Sequence, residues 1–403
     1  MLKIGSKKYS FPLFVENDLS LVLMPCIFSN VLIERGTIFK VIENENINGV
    51  VNSQLVEKDV DDNTIRVILN RLETFLEWIE DYSQESKYVS LSTHHNLPGT
   101  IINDYINDVL IKERGRGEKS IHQHLMALNA YYNYLAYSGF TTTKNLYIKP
   151  DNKEQARTNT KSRNPVKYLT PELRSILYRN TSSIRDELLL KTGGEIGCRS
   201  GENLGFLVSD FNYQGKNYPG MLSLFKIMEA SPDQIEFEYF LQGKFTKSHR
   251  YSGGKSRTLY IHRDLLSRFK DYYEKERPKT EANTFFVNDS SSNSKTAIAK
   301  SRASRVFTAI RKIALEQQEK GLLPEEGQQL EPAHTHHILR HSFGTDKFYE
   351  YSEQNNICVD DVTPTSQPYL TVAALLGHSA NDNSAPKTTS GYIRSCHIKL
   401  RYM

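Results

Sequence analysis

The stretch HTHHILRHSFGTDKF, residues 334–348, places four of the chain's 12 histidines within eight positions and sets Arg340 among them. If it is helical, His337 and Arg340 share a face by their i, i+3 spacing, while Ile338, Leu339 and Phe343 anchor the opposite side. Metal binding is the first chemistry to test. His337 and His341 have the i, i+4 spacing of an HExxH site, but position 338 is Ile where that motif needs Glu. No third ligand is evident nearby, and the Arg340 guanidinium would repel a divalent cation. No metal is expected, and the imidazoles read instead as proton-handling groups beside a fixed positive charge.

Three other stretches carry chemistry of a matching kind. In TGGEIGCRSGENLGF (192–206), glycines surround Arg199, and Glu202 lies three residues on, placed to hold that guanidinium or to cap a helix start. In LQGKFTKSHRYSGGKSRTLYI (241–261) a strand–turn–strand pattern puts Lys247 near the end of one strand and Lys255 near the start of the next. A lysine there can serve as a point-charge phosphate contact or a proton donor. In LLGHSANDNSAPKTTSGYIRS (375–395), His378 follows a Leu-Leu-Gly helix stop and Tyr392 lies in polar surroundings. Taken singly, each has a bland reading: a surface arginine, a solvated hairpin tip, an amphipathic tyrosine.

Charge is uneven along the chain. The net charge is only +4, yet residues 243–270 hold eight Lys/Arg against Asp264 alone, and 295–312 hold six with no acid. Two such blocks in a near-neutral chain favour a polyanion partner, because Lys and Arg contacts to phosphates dominate nucleic-acid affinity. Lys244, Arg250, Lys255, Arg257, Lys300, Arg302 and Arg305 are the candidate DNA-backbone contacts.

At 403 residues, with 38% hydrophobic and 24% charged residues, the chain has the composition of a multi-domain globular protein. Cys26, Cys198, Cys358 and Cys396 lie far apart without a CxxC pair, which argues against a disulfide framework or a thiolate zinc site. The first residues lack the charged-then-apolar order of a signal peptide, and LSLVLMPCIF is too short to span a bilayer and contains Pro25. A cytoplasmic location follows as the expectation.

Residues 1–60 read as short β-like runs, FPLFV, LVLMPCIF and VLIERGTIFKVI, with no motif to indicate a role. From Asn63 the period becomes helical, with Ile65, Ile68, Leu69, Leu72, Phe75, Leu76 and Ile79 on one stripe. Two further amphipathic helices follow, the second capped by Ser120 and ended by Gly139, giving a helical bundle over 61–149. Residues 150–167 are polar and aperiodic and read as a linker. Thr170 and Pro171 open a new helix, residues 220–262 look strand-rich, and the remainder is helical. The expected fold class is α+β, mostly helical, with the second half, 168–403, as one mixed domain.

Together, Arg199 in TGxxxGxRxGE, a hairpin lysine, HxLRHSFGT, and LLGH followed by a tyrosine resemble the ordered pattern of the tyrosine recombinases, the phage-integrase family. The resemblance covers about residues 60–403. It implies a core-binding bundle at 61–149 and a catalytic domain at 168–403, forming a C-shaped clamp around duplex DNA. It further implies that Arg199 and Arg340 clamp the phosphate, that Tyr392 is the nucleophile and that His337 takes its proton. By the same resemblance His378 bonds the phosphate and Lys247 protonates the departing 5′ oxygen. His334, His336 and His341 are expected to be structural or to contact DNA. The activity implied is site-specific strand exchange for a mobile genetic element, with no cofactor or metal. Its partners would be double-stranded DNA, a homo-tetramer on paired sites and accessory recombination proteins, in a nucleoid-associated cytoplasmic setting without membrane. The intervals from Arg199 to Lys247, Arg340 to His378 and His378 to Tyr392 exceed the family's usual lengths, so inserted loops are implied. They leave Lys255 as an alternative lysine, and Tyr369 and Tyr402 as alternative tyrosines. The rival readings are a type IB topoisomerase, marked by relaxation without a site requirement, and an inactive DNA-binding accessory protein, marked by tight binding without a covalent complex.

Overall fold

The computed structural model describes residues 2–5, 8–45, 51–83, 88–160, 167–246, 254–289, 295–324, 327–378 and 391–400; within these, the side chains of 2, 44, 45, 51, 52 and 392–394 lie outside the description. The described residues form two compact units, one up to 160 and one from 167.

In the first unit, β1 (Leu2–Ile4) pairs antiparallel with β2 (Leu13–Val15), and α1 (Leu23–Arg35) follows. Gly36, at φ 64, ends α1 by donating its N–H to Leu32 O, a left-handed position that a glycine fills without strain. β3 (Thr37–Glu45) then pairs with β4 (Val51–Asp59) in an antiparallel ribbon. Next comes α2 (Asp62–Tyr82), with the Asp61 carboxylate accepting from Thr64 N at 2.6 Å. α3 (Gly99–Asp104) widens into a π-helical stretch, Tyr105–Glu113, followed by α4 (Glu118–Tyr137) and α5 (Pro150–Thr158). The expected stripe of α2 is buried throughout, and it packs with Phe14, Phe28, Leu32 and Ile38 in a single hydrophobic core that also takes Ala156 of α5.

The sequence expectations need three corrections here. LVLMPCIF is largely helix: Pro25 is the third residue of α1, in the first turn, where a missing N–H costs nothing. α4 starts earlier than expected, with Gly117 as N-cap, which places Ser120 inside the helix. Residues 150–158, read as linker, form α5. Its attachment is polar: Asn152 Nδ2 donates to Asn107 O and Oδ1, both at 3.2 Å, and Asn159 Nδ2 donates to Ile111 O at 2.9 Å.

The second unit opens with α6 (Pro171–Arg179), capped by Thr170 with Pro171 at the first position, as the sequence indicates. α7 (Ile184–Glu195) follows, then a 3-10 turn, Ser200–Gly205, and the small hairpin of β5 (Phe211–Tyr213) and β6 (Lys216–Tyr218). α8 (Met221–Ala230) occupies part of the stretch expected to be strand; Met221, Leu224, Phe225 and Met228 recur at helical spacing and are buried. β7 (Glu236–Leu241) and β8 (Arg257–His262) pair antiparallel, from Glu236↔His262 to Leu241↔Arg257. The chain ends in α9 (Arg263–Lys275), α10 (Arg302–Glu319), α11 (His337–Gln354), α12 (Gln367–Leu375) and α13 (Gly391–Leu400). α7, β7, β8, α9 and α10 enclose one core that also takes Ile338 and Leu339. Phe343 and Phe348 of α11 join Tyr369, Val372 and Cys396 in a second. The architecture is α+β and mostly helical. Among the described residues no helix is long and apolar enough to cross a membrane.

Candidate active site

The site grows from the turn between α7 and the 3-10 segment. Gly197 sits at φ +68, and a Cβ there would lie 2.5 Å from Phe343 Cδ1, so only glycine lets this turn pass close under α11. The turn leads directly to Arg199. Glu202 plays both parts its spacing allowed: it accepts from Arg199 N at 2.9 Å and from Arg199 Nη1 at 2.5 Å.

Glu202 is 1% exposed and gathers two further guanidiniums, with Arg257 Nη2 at 2.7 Å and Arg340 Nη1 at 3.5 Å. Burial alone would raise its pKa, but Arg257, then Arg340 and Arg199, outweigh that penalty and hold the carboxyl below its ordinary range. Arg340, itself 1% exposed, donates from Nη1 to Gly197 O at 2.5 Å and from Nη2 to Leu376 O. The two guanidiniums expected to clamp the phosphate are thus not equally open. Arg199 keeps 29% of its side chain exposed, whereas Arg340 lies behind it, turned toward backbone carbonyls and the carboxylate.

The histidines gather around these cations. His337 is exposed at the first turn of α11; partial burial of its ring, then Arg340 and Arg199, push its pKa below the ordinary value. His378 follows Gly377, which ends α12 at φ +63, and its own N–H donates to Ala373 O at 2.8 Å. Burial, then Arg340, Arg199, Arg257 and His337, lower its pKa to about 4. Both shifts favour the neutral form of the ring. His341 stacks edge-on to His337, with centroids 4.8 Å apart, and is lowered to about 3, chiefly by burial. His334 and His336 are buried, the latter with Nε2 3.3 Å from Leu189 O.

The structure distributes the remaining candidates unevenly. Lys244 and Lys255 are exposed just beyond the paired ends Leu241 and Arg257, where the strands run into their connection, and Lys244 Nζ lies 5.0 Å from the Phe245 ring centroid. Lys300 and Arg305 are exposed beside the Arg199 turn, where Ser200 Oγ donates to Lys300 O at 2.8 Å. Arg302 is engaged elsewhere: its Nη2 bonds both carboxylate oxygens of Asp186, at 3.0 and 2.7 Å. Arg257 does not fit the expected DNA contact at all. Its side chain is 4% exposed, and besides Glu202 it donates to Gly197 O at 3.2 Å and to Leu375 O. Lys247, Arg250 and Tyr402 lie outside the described residues. Tyr392 is the second residue of α13; its side chain is outside the description. The alternative nucleophile Tyr369 is 2% exposed in the core against Phe348, and burial raises its pKa, so it is not available for attack.

The sequence reading gives Arg257 the wrong role and misses Lys167. The signal for Arg257 was present: along RTLYIH, residues 257, 259 and 261 are the buried set, so Arg257 shares inward parity with Leu259 and Ile261. Lys167, at the end of the presumed linker, is close enough to lower the pKa of both His337 and His341.

No family model and no curated protein matches the chain. Among solved structures, the chain is similar to the Tn1549 transposon integrase in complex with circular intermediate DNA, at 14% identity and TM-score 0.49, covering 94% of this chain and 98% of that one. It is also similar to the XerH site-specific recombinase bound to difH substrate, at 16% identity and TM-score 0.48, covering 81% and 76% respectively. A third is the lambda integrase bound to DNA, at 15% identity and TM-score 0.45, covering 83% and 91%. What this chain can do is decided by its own side chains.

Proposed function

We propose that this protein is a tyrosine-type site-specific DNA recombinase, serving a mobile genetic element and acting on double-stranded DNA as a tetramer on paired sites. The observation that carries the reading is the convergence of Arg199, Arg340, His337 and His378, from three separated segments, around one buried carboxylate. A phosphodiester cleaved without a metal needs fixed cations to neutralise charge on its non-bridging oxygens. Arg199 is exposed enough to meet that phosphate with a bidentate fork, and Arg340 adds its charge from a dry position behind.

In the proposed reaction the Tyr392 hydroxyl attacks phosphorus and gives up its proton to His337. The bond to the 5′ oxygen breaks, that oxygen takes a proton from the hairpin lysine (Lys247, with Lys255 the alternative), and a 3′-phosphotyrosyl ester remains. The ester conserves the bond energy, so attack by a new 5′ hydroxyl reseals the strand without ATP. The depressed pKa of His337 supports its role as a base, because the ring must enter the step unprotonated. His378 hydrogen-bonds the phosphate.

The test uses a nicked duplex from which the cleaved end diffuses away. Wild type should become covalently linked to this DNA, and Tyr392→Phe should bind it without linkage. A linked Tyr392→Phe would remove the nucleophile. Binding with no linkage in wild type would favour an accessory DNA-binding protein, and relaxation of any supercoiled plasmid would favour a topoisomerase.

A further inference from the structure

We infer that Arg257 is a positioning residue for the site: its buried guanidinium ties the turn bearing His378 to the turn bearing Arg199, and so fixes where those two groups stand. The inference rests on the function proposed above. Its structural part stands on contacts alone.

The last carbonyls of a helix have no partner inside the helix. At the end of α12 those of Leu375 and Leu376 are taken by two different arginines: Arg257 Nη1 donates to Leu375 O and Arg340 Nη2 to Leu376 O. The same two arginines also share the Gly197 carbonyl, Arg257 Nη2 at 3.2 Å and Arg340 Nη1 at 2.5 Å. They share Glu202 Oε2 as well, at 2.7 and 3.5 Å. Two planar forks thus span one gap, with the end of α12 on one side and the Gly197–Glu202 turn on the other. Positive charge at a helix C-terminus adds to the attraction.

Closeness of fit marks the contact as specific. A Cβ on Gly377 would lie 2.9 Å from Arg257 Cδ, and Gly377 also needs its φ of +63. His378 follows directly, so the arginine stem and the glycine together determine where the imidazole sits. Lysine cannot replace such a fork, because an ammonium is a single point of charge and cannot reach two carbonyls and a carboxylate at once. With its side chain 4% exposed, Arg257 has no surface to offer a phosphate.

The experiment compares full-length wild type, Arg257→Gln and Arg257→Lys on the duplex that the wild type selects from a random-sequence pool, nicked to trap the adduct. It reads the dissociation constant, the single-turnover adduct rate at saturating DNA, and amide hydrogen exchange. We expect both variants to bind DNA as wild type does. The adduct rate should fall on the order of 100-fold, the scale for misplacing a reacting group by about 1 Å, without rescue by lysine. Exchange should accelerate over 370–378 and stay unchanged in α9. Weakened binding with an unchanged saturated rate would make Arg257 a DNA contact and overturn the proposal. So would an unchanged rate with unchanged binding, or full rescue by lysine. Acceleration spread through α9 in both variants would make Arg257 a core brace and overturn it too. If wild type forms no adduct on any duplex, the recombinase reading falls and exchange alone decides: acceleration confined to 370–378 upholds the tether, and unchanged exchange there removes it.

Discussion

Glu202 is the residue on which the site turns. A lone carboxylate at 1% exposure would cost several kcal/mol to desolvate, and what offsets this is three guanidiniums and a backbone N–H. The converse also holds: without the carboxylate, Arg257 and Arg340 are left as buried charges with only carbonyls to meet them. Glu202→Gln keeps the shape and removes the charge, so we expect it to destabilise the second unit by about 3–5 kcal/mol. The measurement is the urea midpoint at constant m-value; a shift worth less than about 1 kcal/mol would show that the carbonyls alone carry the arginines. Arg199, His337, Arg340 and His378 were legible only as an ordered set, through the resemblance their motifs carry together, because taken singly each has a bland reading. Arg257 was misread because a count of charges cannot tell which one points inward. Strand parity can, since Arg257 alternates with Leu259 and Ile261 on the buried face.

At the level of elements, the α2 stripe and the Thr170–Pro171 helix start were legible because hydrophobic period and capping chemistry both pointed the same way. α1, α5 and α8 were not. In α1 the run LVLMPCIF is short and apolar without a polar face, so its period does not separate helix from strand, and Pro25 falls in a first turn that tolerates it. In α5 there is no apolar stripe to find: the helix docks through asparagines, and Asn107 is their centre. Its Nδ2 donates to Asn103 O at 2.8 Å and Tyr147 O at 3.0 Å, and its Oδ1 accepts from Lys149 N at 2.7 Å. Asn107→Leu keeps much of the volume but leaves those buried backbone groups unpaired. We expect a loss of about 2–4 kcal/mol from the first unit, because each orphaned group costs about 1–3 kcal/mol. Protease cleavage within 145–160 should become faster in the variant. Unchanged cleavage and an unchanged unfolding midpoint would mean that Ala156 alone anchors the helix.

Across the whole molecule, both units hide histidines in neutral form. Burial lowers His94 to about 4 in the first unit, and His336 to about 4 in the second. A histidine with a depressed folded pKa takes its proton first in the unfolded chain, whose value is about 6.5. Stability is therefore complete above that value and is lost as pH falls toward 4. Each of these two residues should remove about 1–2 kcal/mol between pH 7 and pH 5. Melting curves should shift downward across that interval, and His94→Gln should flatten the dependence of the first unit; a flat profile in wild type would contradict the buried neutral rings.

Basic runs flank the site in the second unit, with Lys244, Lys255, Lys300 and Arg305 exposed, as a polyanion partner requires. The central claim is that this basic surface delivers a phosphodiester to Tyr392 between Arg199 and the histidines. Its most direct test is mass spectrometry of the trypsin-digested protein–DNA adduct. The account predicts a phosphonucleotide on the peptide of residues 388–394, at Tyr392. A nucleotide on any other residue, or none on a protein that nonetheless cleaves DNA, would contradict it.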